Sequence, residues 1–302
     1  GQGEVVTTFN DLIDEVRLNL AGYTLRQDRA ATLVTGVDAD DLTFTLSNVD
    51  NFGRGLVEVD EELVFVDSIN RSTSSLVIAP WGRAQSGTAA ASHSANVRVT
   101  ASPTFPVVAV KKAINDTIRA VYPMLFGVTK HTFTSSSAKT TYSLPADVEN
   151  VLFVSWDTVG STAEWSPVRR WRADLMAATG EYATGKSISI YDAIPSGRTV
   201  QVVYAKIPTA LSAGSDVFTT VTGLEESSRE AIVLGASYRL ASFVDPGRLT
   251  YSSPEAAEND AKRPFGSGST VTRFMLALYQ QRLNEEAMRL RNKYPIRVHF
   301  TV

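Results

Sequence analysis

The hydrophobic period of this chain changes repeatedly along its length. Four stretches carry apolar residues at helical spacing, and two long blocks of period-two alternation separate them. A helical stripe has to bury one face against another element, and alternation builds half-buried strands. At 302 residues the chain exceeds the prior of about 150 residues per domain. No flexible Gly/Ser linker parts the blocks, so the simplest assembly packs the helices together and lets the β blocks project. The expected fold class is therefore α+β. It has a four-helix bundle-like core, two inserted β-rich modules of small barrel or sandwich type, and a C-terminal extended arm. The helical core is expected over 1–30, 103–130 and 208–293, the β modules over 31–102 and 131–207, and the arm over 294–302.

The first helix is expected from Thr8 to about Leu20, with Phe9, Leu12, Ile13, Val16 and Leu20 on one stripe and Gly22 ending it. The second runs from Val107 to Tyr122 between Pro106 and Pro123, on the stripe Val110, Ile114, Ile118, Val121 and Leu125. The third spans Glu225 to Val244. Its small residues Ala231, Gly235, Ala236, Ser237 and Ala241 suit close helix–helix approach, as in the central member of a bundle. The fourth covers Thr270 to Lys293 on the stripe Leu276, Tyr279, Leu283, Ala287 and Leu290, and Pro254–Lys262 is a further short helix candidate.

Strands of the first module are expected at Thr32–Val37, Leu42–Leu46, Leu56–Val59, Leu63–Val66, Ser75–Ala79 and Asn96–Thr100, with Pro80–Ser94 as a long loop. Those of the second are expected at His131–Thr134, Thr140–Leu144, Val151–Trp156, Ser187–Tyr191 and Thr199–Ala205. Arg169–Ala178 reads as a short helix between them. After Pro295, Ile296, Val298, Phe300 and Val302 alternate with Arg297, His299 and Thr301. Chain ends fray unless tied down. Two readings stand: a last strand pairing within its own block, or an arm that adds to a partner's sheet edge.

Composition narrows the chemistry. Cys is 0, which removes disulfides, Cys-zinc sites, iron–sulfur clusters and thiol catalysis. The formal net charge is −3, which argues against general nucleic-acid binding. No run of apolar residues is long enough to span a membrane, and the start Gly1-Gln2-Gly3-Glu4 lacks a secretory signal pattern, so no membrane association is expected.

Catalytic motifs are scarce. His93, His131 and His299 stand in no metal-ligand spacing, and His93 reads as a solvated loop residue. There is no Gly-x-Ser-x-Gly elbow, Gly-x-Gly-x-x-Gly or P-loop, and Gly53-Arg54-Gly55 reads as a hairpin turn. Asp38-Ala39-Asp40-Asp41 reads as a solvated turn rather than a calcium loop. Glu58, Asp60 and Glu62 share one face of a hairpin unless a turn intervenes, where paired acids could do glycosidase work. Trp81, Trp156, Trp165 and Trp171 could stack on sugars, with Trp156 and Trp165 more often core. Arg169-Arg170-Trp171-Arg172 is a local basic-aromatic patch that a salt-bridged surface explains. No cofactor, no metal and no catalytic residue is expected.

Two stretches carry a resemblance. Gly55-Leu56-Val57-Glu58-Val59-Asp60-Glu61-Glu62-Leu63-Val64-Phe65-Val66 leads to Pro80-Trp81-Gly82-Arg83-Ala84-Gln85-Ser86-Gly87-Thr88-Ala89-Ala90-Ala91-Ser92-His93. This is similar to the small β modules of tailed-bacteriophage virion proteins, and the helical frame resembles head–tail connector, or adaptor, proteins of the phage neck. The resemblance implies a structural, non-enzymatic virion protein at the head–tail interface, assembled in the host cytoplasm. It implies a homo-oligomeric ring, commonly dodecameric, that binds the portal protein and a downstream tail or stopper protein. Double-stranded DNA would pass through it without sequence-specific binding. Ile296, Val298, Phe300 and Val302 are the expected contacts to portal or neighbouring subunit. The alternatives are a tail-tube, baseplate or collar protein, and a carbohydrate-binding module or hydrolase using the tryptophans and the Glu58–Glu62 acids.

Overall fold

The computed structural model describes residues 6–21, 28–158, 164–244 and 267–295. The expected short helix at Pro254–Lys262 and the arm residues Ile296, Val298, Phe300 and Val302 lie outside the described residues. The fold is mixed α+β. Among the described residues there are five α-helices: α1 (Phe9–Ala21), α2 (Val107–Ala120), α3 (Phe218–Thr222), α4 (Arg229–Val244) and α5 (Ser267–Lys293). The four long ones fall where the stripes place them; α3, a single turn closed by Gly223 at φ 75, has no sequence stripe.

The chain divides into two compact units, one of Asp11–Ile114 with Val233–Leu276, the other of Gly1–Asn10, Asn115–Ile232 and Ala277–Val302. The first contains a six-stranded antiparallel sheet in the order β1-β6-β3-β4-β5-β2. Its strands are β1 (Arg29–Thr32), β2 (Thr43–Thr45), β3 (Gly55–Val59), β4 (Glu62–Asn70), β5 (Ser75–Ile78) and β6 (Arg98–Ala101). The sheet curls until its edges meet at one end. There the Val34 amide donates to the Thr45 carbonyl and the Ser47 amide to the Thr32 carbonyl, both at 2.9 Å. The result is a half-barrel that leaves little of either edge unpaired. Its inside is filled by Leu33, Phe44, Leu46, Val57, Val59, Val64, Val66, Leu76 and Val99. Each fully buried aliphatic side chain contributes about 1.5–3 kcal/mol.

The second unit holds a β-sandwich. One sheet runs β10-β9-β13-β7 and the other β11-β12-β8. The strands are β7 (Gly127–Thr134), β8 (Thr141–Ser143), β9 (Asn150–Asp157), β10 (Trp165–Pro167), β11 (Trp171–Asp174), β12 (Ser187–Ile190) and β13 (Thr199–Lys206). Val154, Val200, Val202 and Tyr204 of the first sheet share one core with Ile188 and Ile190 of the second. The stacked pair Phe133–Tyr142, 4.2 Å between centroids, joins the sheets at one end. The short helix expected at Arg169–Ala178 is instead strand β11, paired in register with β12 from Trp171↔Ile190 to Asp174↔Ser187. Helix-favouring Arg172 and Ala173 are overruled there by a sheet edge that needs a partner, and Leu175 and Met176 fall in the turn that follows.

The stripes of α1 and α2 are buried as spaced, while in α5 Leu283, Ala287 and Leu290 are buried, Met275 is buried beside the expected Leu276, and Leu276 and Tyr279 are half-buried. Phe9, Leu12, Val16 and Leu20 of α1 and Val110, Ile114 and Ile118 of α2 are inaccessible to solvent. α4 buries Ala231, Ile232, Val233, Ala236, Ser237 and Leu240, so most of its circumference is covered, as its small residues lead one to expect. In α5 the buried stripe also includes Glu286. Arg282 pairs with this carboxylate at 3.0 Å and the Ser227 hydroxyl donates to it at 2.6 Å, which offsets the desolvation of a buried charge.

Candidate functional site

The most organised polar site lies in the half-barrel, where the β3–β4 hairpin meets the 80–93 loop. The hairpin turns at Asp60, which adopts φ 51, a left-handed conformation that Asp tolerates better than most residues. The turn separates the acids that alternation would have put on one face. Val59 pairs Glu62 across the hairpin, Asp60 stands at the tip, and Glu58 and Glu62 are each buried with separate partners.

Glu62 is the hub. Its Oε1 accepts from Arg83 Nε at 2.8 Å and the Ala84 amide at 2.9 Å. Its Oε2 accepts from Arg83 Nη2 at 2.9 Å and the Ala91 amide at 3.1 Å, and meets His93 Nε2 at 3.0 Å. Burial by itself would raise this carboxyl. The bonds from Arg83, the Ala84 amide, His93 and the Ala91 amide outweigh it and hold the pKa down at about 2. Arg83 uses its remaining hydrogens on the carbonyls of Asp38 (2.8 Å), Asp41 (2.9 Å) and Ala91 (2.7 Å). All five guanidinium N–H donors are thereby engaged. His93 Nδ1 meets Asp60 Oδ2 at 2.8 Å.

Gly82 lets the chain bend inward to deliver Arg83. The Phe65 amide donates to the Gly82 carbonyl at 2.7 Å. A Cβ on Gly82 would stand 2.5 Å from the Phe65 carbonyl oxygen, a separation no side chain tolerates. The Pro-Trp-Gly-Arg run is thus a latch: Gly82 admits close approach, Arg83 turns in, and Trp81 stays outside. The loop from Ala84 to Ser92 is mostly solvent-facing yet anchored at both ends by one carboxylate.

Glu58 does a second, separate job. Its Oε2 accepts the Val107 amide at 2.6 Å, occupying one of the unpaired donors at the start of α2, and its Oε1 accepts from Arg17 at 2.8 Å. Both buried acids are therefore neutralised by structural partners; a cleft of about 460 Å³ opens beside Asp60, Glu61, Glu62, His93 and Lys111. His93, expected in solvent, is 4% exposed. Its burial comes from a contact 31 residues distant in sequence. Asp38–Asp41 is an exposed turn, as read; the Asp41 carboxylate accepts the Asp38 amide at 2.7 Å, and the carbonyls of Asp38 and Asp41 accept from Arg83. Among the described residues no group of His, Asp and Glu side chains could hold a metal ion, and no helix is long and apolar enough to cross a membrane.

The tryptophans divide between surface and interior. Trp81 is 62% exposed and stacks on Phe65 at 4.8 Å. Trp156 packs against the sandwich core. Trp165, expected more often in a core, is 41% exposed, because it sits on the outer side of an edge strand. The residues facing outward there are Phe153, Ser155 and Asp157 on β9, Gln201 on β13, and Trp165 and Pro167 on β10, in the rows Gln201↔Ser155↔Pro167 and Asp157↔Trp165. A cleft of about 430 Å³ opens among them, with Trp171 on its wall. In the Arg169–Arg172 patch, Arg170 Nε donates to Asp192 at 2.9 Å, so that arginine belongs to a salt-bridged surface. Burial would raise Asp192. The Arg169 amide and Arg170 more than compensate and hold it below its usual value. Arg83 carried no assigned role in the sequence; an Arg flanked by small residues just after Pro-Trp-Gly was the available signal.

No curated protein matches the chain. The family profile described as SU10 adaptor protein matches residues 85–298. The match starts inside the latched loop and continues through β6, α2, the β-sandwich, α4 and α5, while α1 and β1–β5 precede it. With well over half of its length matched, the chain belongs to the SU10 adaptor protein family, a family of phage structural adaptors.

Proposed function

We propose that this protein forms a homo-oligomeric ring, dodecameric like the rings the resemblance implies, between the portal and the tail of a phage. In this reading the ring lines the channel through which double-stranded DNA leaves, and binds the portal on one side and a tail or stopper protein on the other. The observation that carries the reading is membership of the adaptor family over residues 85–298. The chemistry agrees with it. The buried acids serve hairpin, loop and helix, and a formal charge of −3 suits a wall that DNA must slide past rather than grip.

The bundle-like packing of the four long helices, with 31–102 and 131–207 as inserted modules and 294–302 as an arm, belongs to the same proposal. So do Ile296, Val298, Phe300 and Val302 as the residues that dock on the portal or a neighbouring subunit. Deleting Pro295–Val302 tests the arm. The expected result is an unchanged thermal melt with portal attachment lost. Attachment at wild-type strength would rule the arm out.

A further inference from the structure

The sandwich leaves one long sheet edge without a partner. Among the described residues the edge strands β1, β2, β8, β10 and β11 run for only 3 or 4 residues, and β7 runs for 8. β7 pairs with β13 on one side only. Backbone polar groups of successive residues point to opposite sides of a strand. The Ser135 amide points toward β13, donating to the Arg198 carbonyl at 2.8 Å, and the Val128 amide points away, to the Gly223 carbonyl at 3.3 Å. Lys130, Thr132 and Thr134, in phase with Val128, therefore turn their backbone groups outward, and all three are exposed. The core is open on the same side. The inward residues of β7, Thr129, His131 and Phe133, are half-buried, whereas their cross-strand partners Tyr204, Val202 and Val200 are buried. An unpaired edge beside half-covered core residues is a template for one more strand.

The chain carries a segment of matching pattern. After Pro295, residues 296–302 alternate Ile, Val, Phe and Val with Arg, His and Thr. Length and direction decide whose segment fits. α5 ends beside the start of β7: Leu290 lines a small cavity with Leu125 and Phe126, and Lys293 pairs with Glu225. From there a chain can follow its own β7 only in parallel. Every strand pair among the described residues is antiparallel, the more stable arrangement. To run antiparallel the segment must enter at Thr134, about 23 Å along β7 at about 3.3 Å per residue. The 296–302 segment spans about 25 Å at most, so the approach alone would use it up. The segment of a second copy has no such limit.

We infer that residues 296–302 of one copy add an antiparallel strand to the β7 edge of the next copy. The inference rests on the ring reading and specifies its subunit contact. One register places the whole alternation on β7. On the core side it sets Val298 opposite Phe133, Phe300 opposite His131 and Val302 opposite Thr129. On the outer side it sets Arg297, His299 and Thr301 opposite Thr134, Thr132 and Lys130. The apolar row then closes the open core, Arg297 stays away from Lys130, and Val128 keeps its bond to Gly223. Donor segment and acceptor edge are different surfaces of the same chain, so the contact is head-to-tail, the kind that closes rings.

The test is an engineered disulfide, since the chain has no cysteine of its own. Residues opposite each other on the outer side, such as Thr132 and His299, would have Cα atoms about 5.5 Å apart, a separation that a disulfide spans. The full chain carrying Thr132→Cys and His299→Cys, assembled on a candidate portal, oxidised and run on a non-reducing gel, is expected to give a covalent ladder of copies. The two single variants, mixed in equal amounts, are expected to give a dimer whose disulfide joins 132 of one chain to 299 of the other by mass spectrometry. Thr132→Cys with Phe300→Cys, whose side chains take opposite faces, is expected not to link. Thr132→Pro removes one outward N–H without touching the bonds to β13, and is expected to weaken self-association about tenfold or more in analytical ultracentrifugation. Rings of wild type without a ladder in the double variant, or with equal linking through position 300, would overturn this contact and leave the ring standing. A 132–299 disulfide formed within single chains would also overturn it, as would undiminished association of Thr132→Pro. Failure of wild type to form any ring, alone or on a portal, would overturn the ring reading and this contact with it.

Discussion

Replacing Glu62 by Gln keeps the shape of the hub and removes its charge. Four donors and one His nitrogen converge on the carboxylate. An amide offers one acceptor oxygen, and its NH2 would be pressed against a donor. The size of the loss can be worked two ways. The fall of the Glu62 pKa from 4.5 to about 2 corresponds to about 3–4 kcal/mol favouring the ionised form in the folded chain, at about 1.4 kcal/mol per tenfold. Breaking a buried ion pair by removing one partner costs about 3–5 kcal/mol, and Arg83, whose side chain is 9% exposed, would be left without its counter-ion. The two figures agree at about 3–4 kcal/mol. A folded pKa held below the unfolded one gives stability that is complete above about pH 4.5 and disappears as the pH falls toward 2. Urea unfolding of wild type and Glu62→Gln should therefore differ by about 3–4 kcal/mol at pH 7 and converge near pH 2, with amide exchange over 83–93 accelerated in the variant. A gap below about 1 kcal/mol at pH 7, or one that persists unchanged to pH 2, would refute the latch.

Three further outcomes follow from the same geometry. Glu58→Gln removes the charge that meets the first turn of α2 and Arg17; a loss of about 1–2 kcal/mol is expected in urea unfolding, with faster exchange of the Val107 amide as its local signature. Gly82→Ala pushes a methyl against the Phe65 carbonyl and should destabilise by about 1–3 kcal/mol; thermal melting at wild-type temperature would show that the close approach is absent. Burial, with a hydrogen bond to Asp147 at 2.9 Å, raises the Tyr204 hydroxyl well above its ordinary value. Because the folded pKa is the higher one, its contribution is complete below about pH 10 and is lost as the pH climbs past it. Ultraviolet titration should show one tyrosine ionising only with alkaline unfolding, and Tyr204→Phe should remove that step.

Long-period features were the legible part of the sequence. The stripes of α1 and α2 and most strands of both modules carry their period in consecutive residues, and burial follows it. The misses are of other kinds. The β11 segment has the local composition of a helix and becomes a strand because β12 offers an edge. β10 and α3, of three and five residues, are too short to show a period. The latch is hidden in the sequence because Arg83 and His93 lie 21 and 31 residues from the hub Glu62 and meet it only after the half-barrel curls. A lone His among Ala and Ser looks solvated until its carboxylates are known. Trp165 was misplaced because position on an edge strand, not hydrophobicity, sets its exposure.

A protein that works by ring formation at the neck of a virion, as proposed, should be visible doing so in electron microscopy of the purified chain mixed with a candidate portal. The expected image is a ring of this protein stacked on the portal and sharing its symmetry, with a central channel wide enough for duplex DNA. Particles in which the portal stands bare, or a six-fold ring that ignores it, would contradict the claim.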